Sequence, residues 1–143
     1  MQRHLSFKVK GNKYDINFPT VAQFIDIESM KSKLSNDTYG SMVKTGTILS
    51  VKALDYIDMV SNLTVMIPEL LKDLKTDNYL NLDIFDAREL LKAYQLQYAP
   101  WMVQWQKILA EIPDNESSEE DIVDEVISDE DITDAENIAA NQK

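Results

Sequence analysis

Few side chains in this 143-residue chain have the types and spacing that chemistry requires. The one histidine, His4, has no carboxylate or serine at a spacing that suggests a proton relay or a metal cluster, so it reads as structural or solvent-facing. Asp55 and Asp58 lie one helical turn apart and could share a cation, but Lys52 stands on the adjacent turn and a solvated mixed face is the simpler reading. The absence of cysteine removes disulfides, thiolate metal sites and a thiol nucleophile, and makes a reducing cytoplasm the default. Three glycines, Gly11, Gly40 and Gly46, do not make a phosphate cradle or a dinucleotide fingerprint. Asp129-Glu130-Asp131 lacks the glycine and ligand spacing of a calcium loop. The expectation is a non-enzymatic chain with no cofactor and no metal.

Two features could still bind a partner. Trp101 and Trp105, one helical turn apart, and Tyr98 before them are bulky enough to anchor an interface, although the same stripe position makes core the default role. The second feature is the charge partition: residues 113–143 hold twelve acids and one base, whereas residues 1–112 hold thirteen of each. Within that acidic stretch Ile122, Val123, Val126 and Ile127 recur at spacings of three and four, and would form one apolar face if a partner supplied the other side. The stretch reads either as a solubilising brush or as a recognition tail for a basic surface. Lys8, Lys10, Lys13, Lys31 and Lys33 lack interleaved aromatics, and the tail's charge opposes a phosphate backbone, so no nucleic-acid partner is expected.

The elements that must position these residues follow from hydrophobic period. Leu5, Phe7 and Val9, then Tyr14, Ile16 and Phe18, alternate about Gly11-Asn12 and predict a β-hairpin with its turn at those two residues. A lone hairpin is barely stable, so its apolar face must lie on helices or its edge must pair with another chain. Thr20 with Gln23 is a capping-box signature for a helix to about Ser35 with Phe24, Ile27, Met30 and Leu34 on one face. A short turn around Tyr39, Met42 and Val43 follows. From Thr47 to about Met66 apolar residues lie on two sides of a long helix, Ile48 and Leu49 on one and Val51 on the other, which predicts a central helix packed twice. Pro68 opens a short helix to about Leu74. Asp83 caps the last helix, whose stripe Ala87, Leu90, Leu91, Tyr94, Tyr98, Trp101, Trp105, Ile108, Leu109 and Ile112 keeps phase across Pro100, so a single kinked helix is expected.

All aromatic residues precede position 113, which confines the core to residues 1–112 and leaves 113–143 as an acidic tail expected to be disordered when free. The predicted class is α+β and predominantly helical: an N-terminal hairpin packed on a helical bundle with an acidic tail. No apolar run approaches the ~18 residues of a membrane span, so a soluble protein without membrane association is expected.

The stretch from Phe18-Pro19-Thr20-Val21-Ala22-Gln23-Phe24 through Lys33-Leu34 and Tyr39, after a short hairpin, resembles the N-terminal part of small structural or assembly proteins of tailed bacteriophages, as does Tyr98-Ala99-Pro100-Trp101 followed by Trp105. The likeness spans most of residues 5–109 and in plan is most similar to tail assembly chaperones. The resemblance implies a helical binding protein without a cofactor that acts in the host cytoplasm. Its partners would be other phage structural proteins such as tail or tape-measure polypeptides, with self-association a further option. The hairpin departs from the mostly helical members, which keeps a virion component of the head or tail as the alternative.

Overall fold

Alternation sets the first two elements of the computed structural model, which describes residues 2–111. Strands β1 (His4–Val9) and β2 (Asn12–Asn17) pair antiparallel, Leu5 opposite Ile16, Phe7 opposite Tyr14 and Val9 opposite Asn12. The core face is therefore Leu5, Phe7, Tyr14 and Ile16, all buried. The turn is Lys10-Gly11, one residue earlier than the sequence suggests, with φ of 52° and 79°. A two-residue turn with positive φ at both centres favours glycine in the second place, and Asn12 is thereby freed to pair with Val9.

Six α-helices follow: α1 (Val21–Leu34), α2 (Tyr39–Thr45), α3 (Ile48–Met66), α4 (Leu70–Leu74), α5 (Ile84–Ala93) and α6 (Ala99–Ala110). Three of their starts carry side-chain caps. Thr20 and Gln23 form the complete capping box of α1, Thr47 accepts from the Ser50 amide, and Asp83 accepts from the Asp86 amide. Asn36 and Asp37, both at positive φ, end the α1 turn, and Gly46 at φ 65° closes α2. Helix α3 is central, packing against α1, α2, α5 and a 3-10 turn at Tyr79–Asn81.

Two-sided packing of α3 holds only from Leu54 onward. Ile48 and Leu49 are each 81% exposed and Val51 is 44% exposed, because the first turns of α3 project past the elements that cover its later ones. Helices α5 and α6 are continuous through a π-helical turn, Tyr94–Tyr98, in which the Ala99 amide donates to the Tyr94 carbonyl. Pro100 has no N–H for the Leu96 carbonyl, and widening the preceding turn by one residue removes that clash. One extra residue also rotates everything downstream by about 100° relative to a straight helix. The buried sets on the two sides of the turn thus address different partners: Leu90 and Leu91 precede it, whereas Trp101 meets Phe18 and Trp105 meets Phe24 beyond it.

The helix also guards the hairpin. Lys8 faces its amide and carbonyl outward from β1, and the Gln97 side chain takes both, each at 2.7 Å. Two turns on, Gln104 accepts from the Gln2 amide at 3.2 Å. The β1 edge is therefore engaged at Lys8 by a side-chain amide instead of a further strand. Gln97→Ala is expected to cost about 1 kcal/mol and to remove hydrogen-exchange protection from the Lys8 amide specifically. Residues 2–108 form one compact unit, and the described chain continues from it to residue 111.

Candidate polypeptide-binding surface

The aromatic residues singled out as partner anchors lie in the interior. Tyr98 is 0% exposed and Trp101 and Trp105 3% each, so they present no surface, and the anchor reading of these three is corrected to core. They form a train: Tyr94 stacks on Tyr98 at 4.9 Å, Tyr98 meets Trp101 edge-on at 5.2 Å, and Trp101 meets Trp105 at 6.4 Å. The reason is coverage from both sides, by Phe18 after the hairpin and by Phe24 of α1. Tyr98 donates to Asn62 Oδ1 at 2.9 Å, and Asn62 in turn donates to the Asp58 carbonyl, which ties the π turn to α3. Both indole nitrogens are buried without a hydrogen-bond partner among the described residues. The other candidate anchors, Ile122, Val123, Val126 and Ile127, lie outside the described residues.

His4 has neighbours that a local reading of the sequence cannot supply. Strand pairing brings Asp15 to 3.6 Å from His4 Nε2, and Ser6 lies 3.5 Å from the same nitrogen. The three residue types suggest a nucleophile relay, but the Ser6 hydroxyl donates to Asp15 at 2.6 Å and not to the imidazole. That bond, with Lys13 and His4 nearby, holds the Asp15 carboxyl below the usual carboxylate range. The Ser6 proton thus faces a carboxylate made a weaker base by that bond, and not the imidazole that a nucleophile relay would use. The cluster stands on the solvent face of the hairpin, with His4 and Asp15 half-exposed.

Asp55 and Asp58 do not act together. Asp58 accepts from the Tyr39 hydroxyl at 2.9 and 3.0 Å and faces Lys31 at 3.8 Å, while Asp55 pairs with Lys52 at 3.9 Å. Lys31 also binds Glu28 at 3.0 Å and lies over the Tyr39 ring. Burial raises the Asp58 carboxyl above its ordinary value despite the opposing pull of Tyr39 and Lys31, and burial beside Asp58 raises the Tyr39 phenol. This knot fastens α2 to α1 and α3. Among the described residues no three metal-ligating side chains converge, and no helix is long and apolar enough to cross a membrane.

A different surface emerges between α3 and α5. Lys52 and Tyr56 on one helix and Arg88, Leu91, Lys92 and Gln95 on the other line an open groove with no acid in its wall. Lys92 also borders a second hollow shared with Lys8 and Lys10 of the hairpin and Leu96 of the π turn, where Glu89 is the one acid. Lys10 and Lys52 have only long ion pairs, each 3.9 Å, to Asp86 and Asp55. Arg88, Lys92 and Lys8 have none among the described residues.

Beside these cations stand large apolar side chains that are exposed among the described residues. Ile48 and Leu49 sit one turn before Lys52, Ile84 and Phe85 one turn before Arg88, and Leu96 one turn after Lys92. Ile84 is 82% exposed, and Phe85 and Leu96 75% each. Isolated exposed apolar residues need no explanation, but apolar side chains clustered next to cations with a long ion pair or none form a surface suited to a polypeptide that is both acidic and apolar. The sequence carried half of this signal, since Ile48, Leu49, Lys52 and Arg88 are visible there, but not which turns would remain uncovered. No family model, no curated protein and no solved structure matches this chain.

Proposed function

We propose that this chain is a non-enzymatic bacteriophage assembly factor of the tail assembly chaperone type, which holds tail or tape-measure polypeptides in the host cytoplasm before they polymerise. The observation that carries this reading is the basic groove of Lys52, Arg88 and Lys92 with Ile48, Leu49, Ile84 and Phe85 exposed beside it. Such a surface offers charge for registration and apolar area for affinity, which is what a holding protein needs. The resemblance of Phe18–Leu34 and Tyr98–Trp105 to phage assembly proteins supports the same reading.

Crosslinking with mass spectrometry in a lysate of infected cells tests it. The expected result is a set of links from Lys52 and Lys92 to one tail or tape-measure polypeptide, lost in a Phe85→Asp, Arg88→Glu variant that remains folded. Recovery of no tail polypeptide would reject the proposal.

A virion structural role is the second reading, and the outer edge of β2 favours it. Lys8 turns its backbone away from β2, so its partner Lys13, and with it Asp15 and Asn17, turn their amides and carbonyls to the other side. Those groups make no hydrogen bond among the described residues, which leaves an edge that a strand of a neighbouring subunit could extend. Mass spectrometry of purified particles separates the two readings: a chaperone is absent, a structural part is present in fixed stoichiometry.

A further inference from the structure

We infer that the groove between α3 and α5 is a self-recognition site, whose occupant is the acidic segment Glu119–Ile132 of a second copy of this chain. The inference rests on the reading above that this surface takes polypeptides, and it names one such polypeptide.

Charge complementarity is the first argument. The groove and the adjoining hollow bring together five cations, Lys8, Lys10, Lys52, Arg88 and Lys92, of which Lys8, Arg88 and Lys92 have no ion pair among the described residues. Residues 1–112 are neutral as a whole, with thirteen acids and thirteen bases, so the chain's excess of negative charge lies entirely in residues 113–143. Residues 119–132 hold eight acids and no base.

Apolar complementarity is the second. A purely acidic segment would leave Ile48, Leu49, Ile84, Phe85 and Leu96 in water. In Glu119–Ile132 the acids are interrupted by Ile122, Val123, Val126, Ile127 and Ile132, at spacings that place aliphatic side chains beside carboxylates. On the receiving side each apolar cluster lies one turn from a cation, so both patterns have the same short repeat. Ile48, Leu49, Ile84, Phe85 and Leu96 stand exposed among the described residues, and a segment of a second copy seated on them would bury their apolar area. A groove on one copy and a segment on the next form a head-to-tail contact, which builds a ring or an open chain of copies.

A zero-length carbodiimide crosslinker, which joins a lysine amine directly to a carboxylate, tests this on the purified full-length protein. An equal mixture of unlabelled and nitrogen-15-labelled copies then distinguishes links between copies from links within one. The expected products are mixed-isotope peptides joining Lys52 or Lys92 to Glu119–Asp131. Their yield should fall at least about fivefold in Arg88→Glu, which leaves both reporter lysines in place. A similar fall is expected in 1 M salt, where the screening length shrinks to about 3 Å. Circular dichroism of Arg88→Glu checks that the body remains folded, and a second variant, Asp121→Asn with Asp124→Asn and Glu125→Gln, gives the same loss from the other side. Links within one copy alone, links to other lysines, or no links would each overturn the inference. None of these outcomes bears on capture of a tail polypeptide in infected cells, so the two proposals fail separately.

Discussion

Replacing Trp101 by alanine should cost about 3–5 kcal/mol of folding stability, the usual range for a large aromatic removed from a core. Trp101 touches Phe18 at 5.6 Å, Tyr98 at 5.2 Å and Trp105 at 6.4 Å, so its loss opens a cavity where the hairpin exit, the π turn and α6 meet. A folded body of about 110 residues has a total stability of roughly 5–15 kcal/mol, so the variant would retain at best about four-fifths of it. Trp101→Phe is the informative companion. The smaller ring forfeits about 1–2 kcal/mol of burial. It also removes an indole N–H that is buried without a partner among the described residues, a defect worth about 1–3 kcal/mol. The two terms nearly cancel, and Trp101→Phe should fall within about 1 kcal/mol of the parent protein. Urea denaturation followed by circular dichroism measures both variants. If alanine and phenylalanine were equally damaging, the indole nitrogen would be engaged and not orphaned.

The same train of aromatics shows what could be read from the sequence. Local signals were legible: alternation gave the hairpin, Thr20 with Gln23 gave the start of α1, and Thr47 and Asp83 marked α3 and α5. The stripe through Leu90, Tyr94, Tyr98, Trp101 and Trp105 identified buried positions on a continuous helix. Long-range facts were not legible. Whether Trp101 faces a partner or the core depends on Phe18 and Phe24, more than seventy residues away in the chain. His4 has Asp15 beside it only because the turn falls at Lys10-Gly11 and sets the register. The groove escaped notice for the same reason. Arg88 and Lys92 look like ordinary solvated cations until α3 brings Lys52 opposite them, and Ile48 and Leu49 look like core until the packing stops short of the first turns of α3.

Raising the pH should unfold the protein in a single step that coincides with ionisation of its interior tyrosines. Burial raises the phenols of Tyr94, Tyr98, Tyr79 and Tyr39 well above the ordinary value of 10, and Tyr14, bound to Asp73, is pushed up to about 12. The sign follows from proton counts. Above pH 10 the unfolded chain releases tyrosine protons that the folded chain retains, so the folded state binds more protons and stability falls as pH rises. Below pH 10 both states hold these protons and the contribution is flat. Tyr94 and Tyr98 are both buried, and each lowers stability by about 1.4 kcal/mol per pH unit above 10. Together they remove about 3 kcal/mol per unit, before Tyr79, equally buried, and Tyr14 and Tyr39, discounted for their greater exposure, add their shares. Against a total of roughly 5–15 kcal/mol this brings unfolding within a few pH units of 10. Tyrosinate absorbance at 295 nm and helical ellipticity, recorded on one titration, should therefore change together. Tyr98→Phe should be less stable at neutral pH, because Asn62 Oδ1 loses its donor, and yet show a shallower alkaline slope by the equivalent of one proton. A tyrosinate signal that rises to completion while the helices persist would mean that water and hydroxide reach Tyr94 and Tyr98 in the folded protein, and the interior placement of the aromatic train would be wrong.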